Sequence, residues 1–188
     1  MNRVCVFCGS SSGAAAEYTR AAAEAGEALV RRGLGLVYGG GHVGLMGVVA
    51  DAVLRVGGSA TGVITQSLVD KEVAHTGLSE LHVVRTMHER KALMASLADA
   101  FLVLPGGIGT LEEFFEVWTW GQLGDHHKPC GLVNVAGYFD RLIGFLDHSV
   151  SEQFLKPKHR GMLIVGDTAD AVLTEFAAYE PPTVTKWI

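Results

Sequence analysis

Short apolar runs alternate along this chain with longer stretches in which apolar residues recur every three or four positions. The runs Val4–Phe7, Leu34–Tyr38, Ala60–Ile64, Leu81–Arg85, Ala100–Leu104, Gly131–Val135 and Met162–Val165 read as strands. Helical periodicity fills the intervals near 15–32, 44–56, 87–98, 110–122, 137–153 and 168–179. Gly33 closes the first of these where a left-handed C-terminal residue is wanted. Alternation this regular predicts an α/β fold, with a mostly parallel sheet covered by helices on both faces. No repeat or linker divides residues 1–180, which read as one nucleotide-binding domain. Residues 181–188, within "EPPTVTKWI", read as an extended C-terminal tail.

In sheets of this kind ligands bind beyond the carboxyl ends of the strands. Three glycine-rich turns are expected there: "CGSSSG" (8–13), "YGGGHVGLMG" (38–47) and "LPGGIGT" (104–110). Together they would present a floor of backbone N–H groups, which suits a phosphorylated ligand.

Composition narrows the partners. The chain has 188 residues, 48% of them hydrophobic and only 19% charged, a balance that points to apolar surface buried in an oligomer. A net charge of −5 and no Lys/Arg run argue against nucleic acid. No segment reaches about 18 uninterrupted apolar residues, so no membrane span is expected. The N-terminal "RVCVFCGSS" is wrongly flanked for a signal peptide, and three cysteines fit a reducing, cytoplasmic setting.

The individual motifs differ in weight. "GGGHVG" (39–44) satisfies G-x-G-x-x-G after a strand, but the next strand ends in "GVITQSL" without the acid a dinucleotide ribose wants, so NAD is disfavoured. There is no P-loop. Cys5 and Cys8 form a C-x-x-C inside a strand, where residues three apart point to opposite faces, and they read as buried thiols. The eight histidines show no ligand spacing, His126-His127 reads as a solvated loop pair, and no metal is assigned.

"RTMHERKALMASLA" (85–98) carries more. Met87, Met94 and Ala98 mark an inward helical stripe that Arg90 and Lys91 share. Both cations sit in the first turns, where the helix dipole disfavours them, so the pair expects an anion rather than stems lying along the rim. In "TLEEFFEVW" (110–118), Leu111, Phe114, Phe115 and Trp118 form a core stripe. Glu113 falls on the other side. Thr110-x-x-Glu113 fits a capping box, which leaves Glu113 open between cap and catalyst.

These residues resemble the LONELY GUY family of cytokinin-activating phosphoribohydrolases. The P-G-G-x-G-T-x-x-E signature is matched by Pro105, Gly106, Gly107, Gly109, Thr110 and Glu113, and M-H-x-R-K by Met87, His88, Arg90 and Lys91. The glycine-rich G-G-G-x-x-G-L-M-G is matched at 39–47. The resemblance implies a three-layer modified Rossmann fold in a homodimer. It further implies hydrolysis of the N-glycosidic bond of N6-modified adenosine 5′-monophosphates, such as isopentenyladenosine monophosphate, without a cofactor. Arg90 and Glu113 match the catalytic pair. Glu72, Arg90, Lys91, the turn Gly106, Gly107, Ile108, Gly109, Thr110, Leu111, Glu112 and Glu113, and Thr119 match substrate-binding positions, with Gly40, Gly41 and Met46 added from the second turn. Hydrolysis of plain AMP and nucleotide sensing without turnover are the alternatives. The "lysine decarboxylase" label some relatives carry would need a pyridoxal phosphate lysine, and only Lys91 offers itself.

Overall fold

The structure is a computed structural model that describes residues 1–71 and 73–182. Strands β1 (Arg3–Phe7), β2 (Gly35–Tyr38), β3 (Ala60–Thr65), β4 (Glu80–Val84), β5 (Ala100–Val103), β6 (Cys130–Val133) and β7 (Leu163–Gly166) correspond one for one to the expected apolar runs. They form one sheet in the order β4-β3-β2-β1-β5-β6-β7, and every strand pairing is parallel.

The sheet is central because its inner strands, β1, β2, β3, β5 and β6, are buried on both faces. In β1 and just beyond it, Val4, Val6 and Cys8 pack on one side, against a cluster that includes Leu29, Leu45, Val49 and Val172. These residues come from α1 (Ala16–Arg31), α2 (Gly44–Arg55) and α8 (Ala169–Ala177). Cys5 and Phe7 pack on the other side with Met94, Phe114, Trp118 and Leu146. That layer holds α4 (Met87–Leu97), α5 (Ile108–Leu123) and α6 (Asp140–Ser151). A strand covered on both faces needs no polar alternation. Cys5 and Cys8 therefore fall in opposite layers as free buried thiols. Burial pushes both thiols well up, with the nearby Glu113 carboxylate adding to the rise. Phe101 and Phe114 are fully buried, contributing roughly 2–3 kcal/mol each, which holds β5 and α5 as a firm platform.

Several boundaries differ from the periodicity. Short helices α3 (Gln66–Val69) and α7 (Pro157–Arg160) lie where no helix was expected. Helix α6 begins at Asp140 rather than 137, because Val135–Gly137 forms a separate turn with Ala136 and Gly137 both left-handed (φ 50° and 72°). Helix α5 begins at Ile108, capped by the backbone of Gly107 with no side-chain bond, so the Thr110–Glu113 capping box does not form. The box forms one helix earlier: the Glu89 N–H donates to Thr86 Oγ1 (3.1 Å) and Glu89 Oε2 accepts from the Arg85 N–H (2.9 Å). His126 is half-buried rather than solvated, its Nδ1 accepting from the Lys128 N–H and its Nε2 2.8 Å from the Val117 carbonyl. The tail beyond Pro182 lies outside the described residues. No helix among the described residues is long and apolar enough to cross a membrane.

Candidate active site

The strand order reverses direction between β1 and β5, and the loops that follow these two strands part to form a crevice. They are the "CGSSSG" and "PGGIG" turns, joined where the Gly9 N–H donates to the Pro105 carbonyl (3.0 Å). The β2–α2 turn closes the third side, with the Leu45 N–H bonded to the Gly9 carbonyl (3.0 Å).

A cleft of about 360 Å³ opens here, lined by Arg90, Glu113 and Thr110, the Gly107–Gly109 turn, and an apolar wall that includes Met46, Leu68 and Val73. Its floor is the start of α5. The first amides of a helix have no intrahelical partners, and no side chain caps these. Ile108 at the lip is 84% exposed.

Arg90 is buried at the back of the cleft. Its Nε donates to the Val63 carbonyl (3.0 Å), Nη2 to the Gly39 carbonyl (3.2 Å), and Nη1 to Met87 Sδ and Glu113 Oε1 (both 3.3 Å). A carbonyl just past β2 and one within β3 thus aim the guanidinium. Gly39 is obligatory for this close approach, since a Cβ there would stand 2.0 Å from Arg90 Nη2. Met87 is not inward as its spacing implied. It is 44% exposed at the rim and touches the site through its sulfur.

Glu113 faces Arg90 from the second turn of α5. Burial raises its carboxyl above the ordinary glutamate range; Arg90 pulls the other way, and Glu112 adds to the rise. A buried carboxyl held against a guanidinium in this way suits acid–base work or stabilisation of a developing cation.

Lys91 does not line the cleft. Its Nζ pairs with Glu112 and Glu116, the latter at 3.0 Å. Burial lowers its pKa, but the hydrogen bonds it donates to Glu112 and Glu116 carry it above the ordinary lysine value. A Schiff-base lysine needs a free, readily deprotonated amine, so Lys91 does not fit pyridoxal phosphate.

The other expected positions divide. Met46, Gly107, Ile108, Gly109 and Thr110 line the cleft, whereas Gly106 lines an adjoining recess. Gly40 and Gly41 serve the loop behind it: the Gly40 carbonyl accepts from the His75 N–H, and Gly41 bridges to Ala74. Leu111 is half-buried in the core, Glu112 turns to Lys91, and Thr119 lies exposed on α5. Glu72 lies outside the described residues. The sequence reading missed Gly39 and Val63, whose carbonyls orient Arg90. The triple glycine at 39–41 was the available signal for the first, and a backbone oxygen leaves none for the second.

Comparison with known proteins places the chain among relatives. The family model described as "Possible lysine decarboxylase" matches residues 46–176. The rice (Oryza sativa subsp. japonica) probable cytokinin riboside 5′-monophosphate phosphoribohydrolase LOGL5 is 51% identical over 96% of this chain and 73% of its own length. The Arabidopsis thaliana cytokinin riboside 5′-monophosphate phosphoribohydrolase LOG7 is 49% identical over 95% of this chain and 82% of its own. Among solved structures, TM1055 superposes with a TM-score of 0.72 at 22% identity, over 95% of this chain and all of that one. A molybdenum cofactor carrier protein from Chlamydomonas reinhardtii gives 0.71 at 18%, over 94% and 98%. At such identities these two structures share the fold. The sequence relatives go further: the chain belongs to the LONELY GUY family, whose curated members bear the name cytokinin riboside 5′-monophosphate phosphoribohydrolase.

Proposed function

We propose that the chain hydrolyses the N-glycosidic bond of N6-modified adenosine 5′-monophosphates, releasing the free base and ribose 5-phosphate. The observation that carries this reading is the buried Arg90–Glu113 pair, 3.3 Å apart, set beside the uncapped start of α5 in one cleft. The amides that open α5 hold the 5′-phosphate, aided by the helix dipole. The ribose then spans from phosphate to Glu113, and that spacer keeps two anions from meeting. As the C1′–N9 bond breaks, its electron pair leaves with N9 and C1′ becomes oxocarbenium-like. Ionised Glu113 stabilises that cation and takes a proton from the attacking water, whose oxygen forms the new bond to C1′. The departing base is protonated on nitrogen from solvent, and the proton on Glu113 returns to solvent, which restores the carboxylate. Arg90, fixed by two carbonyls, aims the Glu113 carboxylate and favours its ionised form.

The apolar wall of Met46, Leu68 and Val73 favours a base bearing an apolar N6 substituent over plain AMP. A homodimer belongs to the same proposal, supported by exposed apolar side chains at Ile108, Phe145 and Phe154. So does a cytoplasmic setting, supported by three free buried thiols. Chromatographic detection of base and ribose 5-phosphate, in equal amounts, from isopentenyladenosine monophosphate tests the activity.

A further inference from the structure

Next to the cleft lies a recess of about 240 Å³, bounded by the Gly9–Gly13 turn, Tyr18, Pro105–Gly107 and Tyr138. Tyr138 stands on the β6–α6 turn, and that turn is strained. Ala136 occupies the left-handed region (φ 50°, ψ 32°), which costs a residue with a Cβ of order 1 kcal/mol. Gly137 follows in the same region (φ 72°). Asn134 ties the turn down, with Nδ2 donating to Asp140 Oδ1 and Oδ1 accepting the Phe139 N–H (both 2.7 Å). A turn held so firmly in a costly shape fixes what it presents.

It presents the tyrosine hydroxyl. Tyr138 Oη donates to the Gly106 carbonyl at 2.6 Å, inside the "PGGIG" turn. The ring is 42% exposed, so burial does not explain its placement. It packs edge-on to Tyr18 (centroids 5.5 Å apart), whose own ring lies where a Cβ on Gly13 would be. Tyr138 thereby links the β6–α6 turn both to this peptide and to the Tyr18 ring of α1.

That peptide matters because of what shares its plane. The Gly106 carbonyl and the Gly107 N–H belong to one trans unit and point in opposite directions. Glycine on both sides lets this unit rotate at little steric cost. Rotation would turn a carbonyl oxygen, rather than an N–H, toward the anion side of the turn. We propose that Tyr138 is a positioning residue that locks the Gly106–Gly107 peptide with its N–H toward the cleft, setting the affinity for the substrate's 5′-phosphate. This rests on the phosphate placement proposed above.

The test is calorimetric and independent of turnover. AMP, ribose 5-phosphate and adenosine are titrated into the protein in a Glu113→Gln background that leaves AMP intact, with and without Tyr138→Phe, with thermal melts of both. Loss of one orienting hydrogen bond weakens AMP and ribose 5-phosphate in parallel, by about three- to tenfold. Adenosine binding and the melting temperature stay essentially unchanged. Ala136→Gly, which relieves the left-handed strain while the turn keeps its shape and Tyr138 its hydroxyl, keeps wild-type affinity. Equal weakening of AMP and adenosine, or unchanged AMP affinity, overturns the assignment. Wild type that binds AMP but releases no base from isopentenyladenosine monophosphate overturns the hydrolase reading, while Tyr138 is still judged by the ratio of phosphate to phosphate-free affinities. Wild type that binds neither phosphate ligand overturns both.

Discussion

Arg90 Nη1 lies 3.3 Å from Glu113 Oε1, with only 10% and 14% of the two side chains exposed. Opposite charges this close ordinarily depress a carboxyl pKa, yet here burial outweighs the attraction and the carboxyl rises. The pair is therefore held at a cost in stability, as expected of groups placed for chemistry.

Replacing Glu113 by Gln keeps the shape and removes the charge. The rate of base release should fall about a hundredfold or more, with AMP binding retained. Single-turnover kinetics and calorimetry separate the two effects. A variant within tenfold of wild type would remove Glu113 from the chemistry.

The same substitution should alter how stability depends on pH. A carboxyl whose folded pKa is raised binds its proton more tightly in the folded chain than in the unfolded one. Stability therefore falls as pH climbs from the unfolded glutamate value, about 4.3, through the raised folded value. Glu113→Gln lacks that decline, so its melting temperature should gain on wild type across this window and hold the gain above it. A gap that shrinks with rising pH would contradict the direction of the shift.

The acid limb of kcat/KM reports the ionisation of Glu113 in the free enzyme and should lie above the ordinary glutamate range. Lys91 lowers the Glu113 carboxyl, so Lys91→Met should push that limb to higher pH. Because Lys91 is engaged by Glu112 and Glu116 rather than lining the cleft, the preference for monophosphate over riboside should survive. Loss of that preference would return Lys91 to the phosphate site.

Gly39→Ala places a methyl where Arg90 Nη2 now sits. The guanidinium must move, at about 1–3 kcal/mol for the misfit, and activity should drop at least tenfold. Melting temperature and rate measured together check this. A stable, fully active variant would show that the aim of Arg90 is unimportant.

The sheet was legible in the sequence because its inner strands β1, β2, β3, β5 and β6 are buried on both faces and read as apolar runs. The crevice followed from three glycine-rich turns falling at strand ends. Helix starts were less legible. Thr86-x-x-Glu89 and Thr110-x-x-Glu113 carry the same pattern, and only the backbone path, with α5 already under way at Ile108, decides which of them caps. Lys91 had an inward position by spacing, but its partners Glu112 and Glu116 come from another helix, and no local pattern encodes that pairing. Tyr138 reaches Gly106 across 32 residues, equally out of reach of periodicity.

The central claim is that a 5′-phosphate anchors the nucleotide while Glu113 acts at C1′. Its most direct test is base release from isopentenyladenosine monophosphate, its riboside and AMP, by wild type and Glu113→Ala. Release from the monophosphates alone, fastest with the isopentenyl compound and abolished by the substitution, is the predicted result. Release from the riboside at a matching rate, or no release from any of the three by wild type, would contradict it.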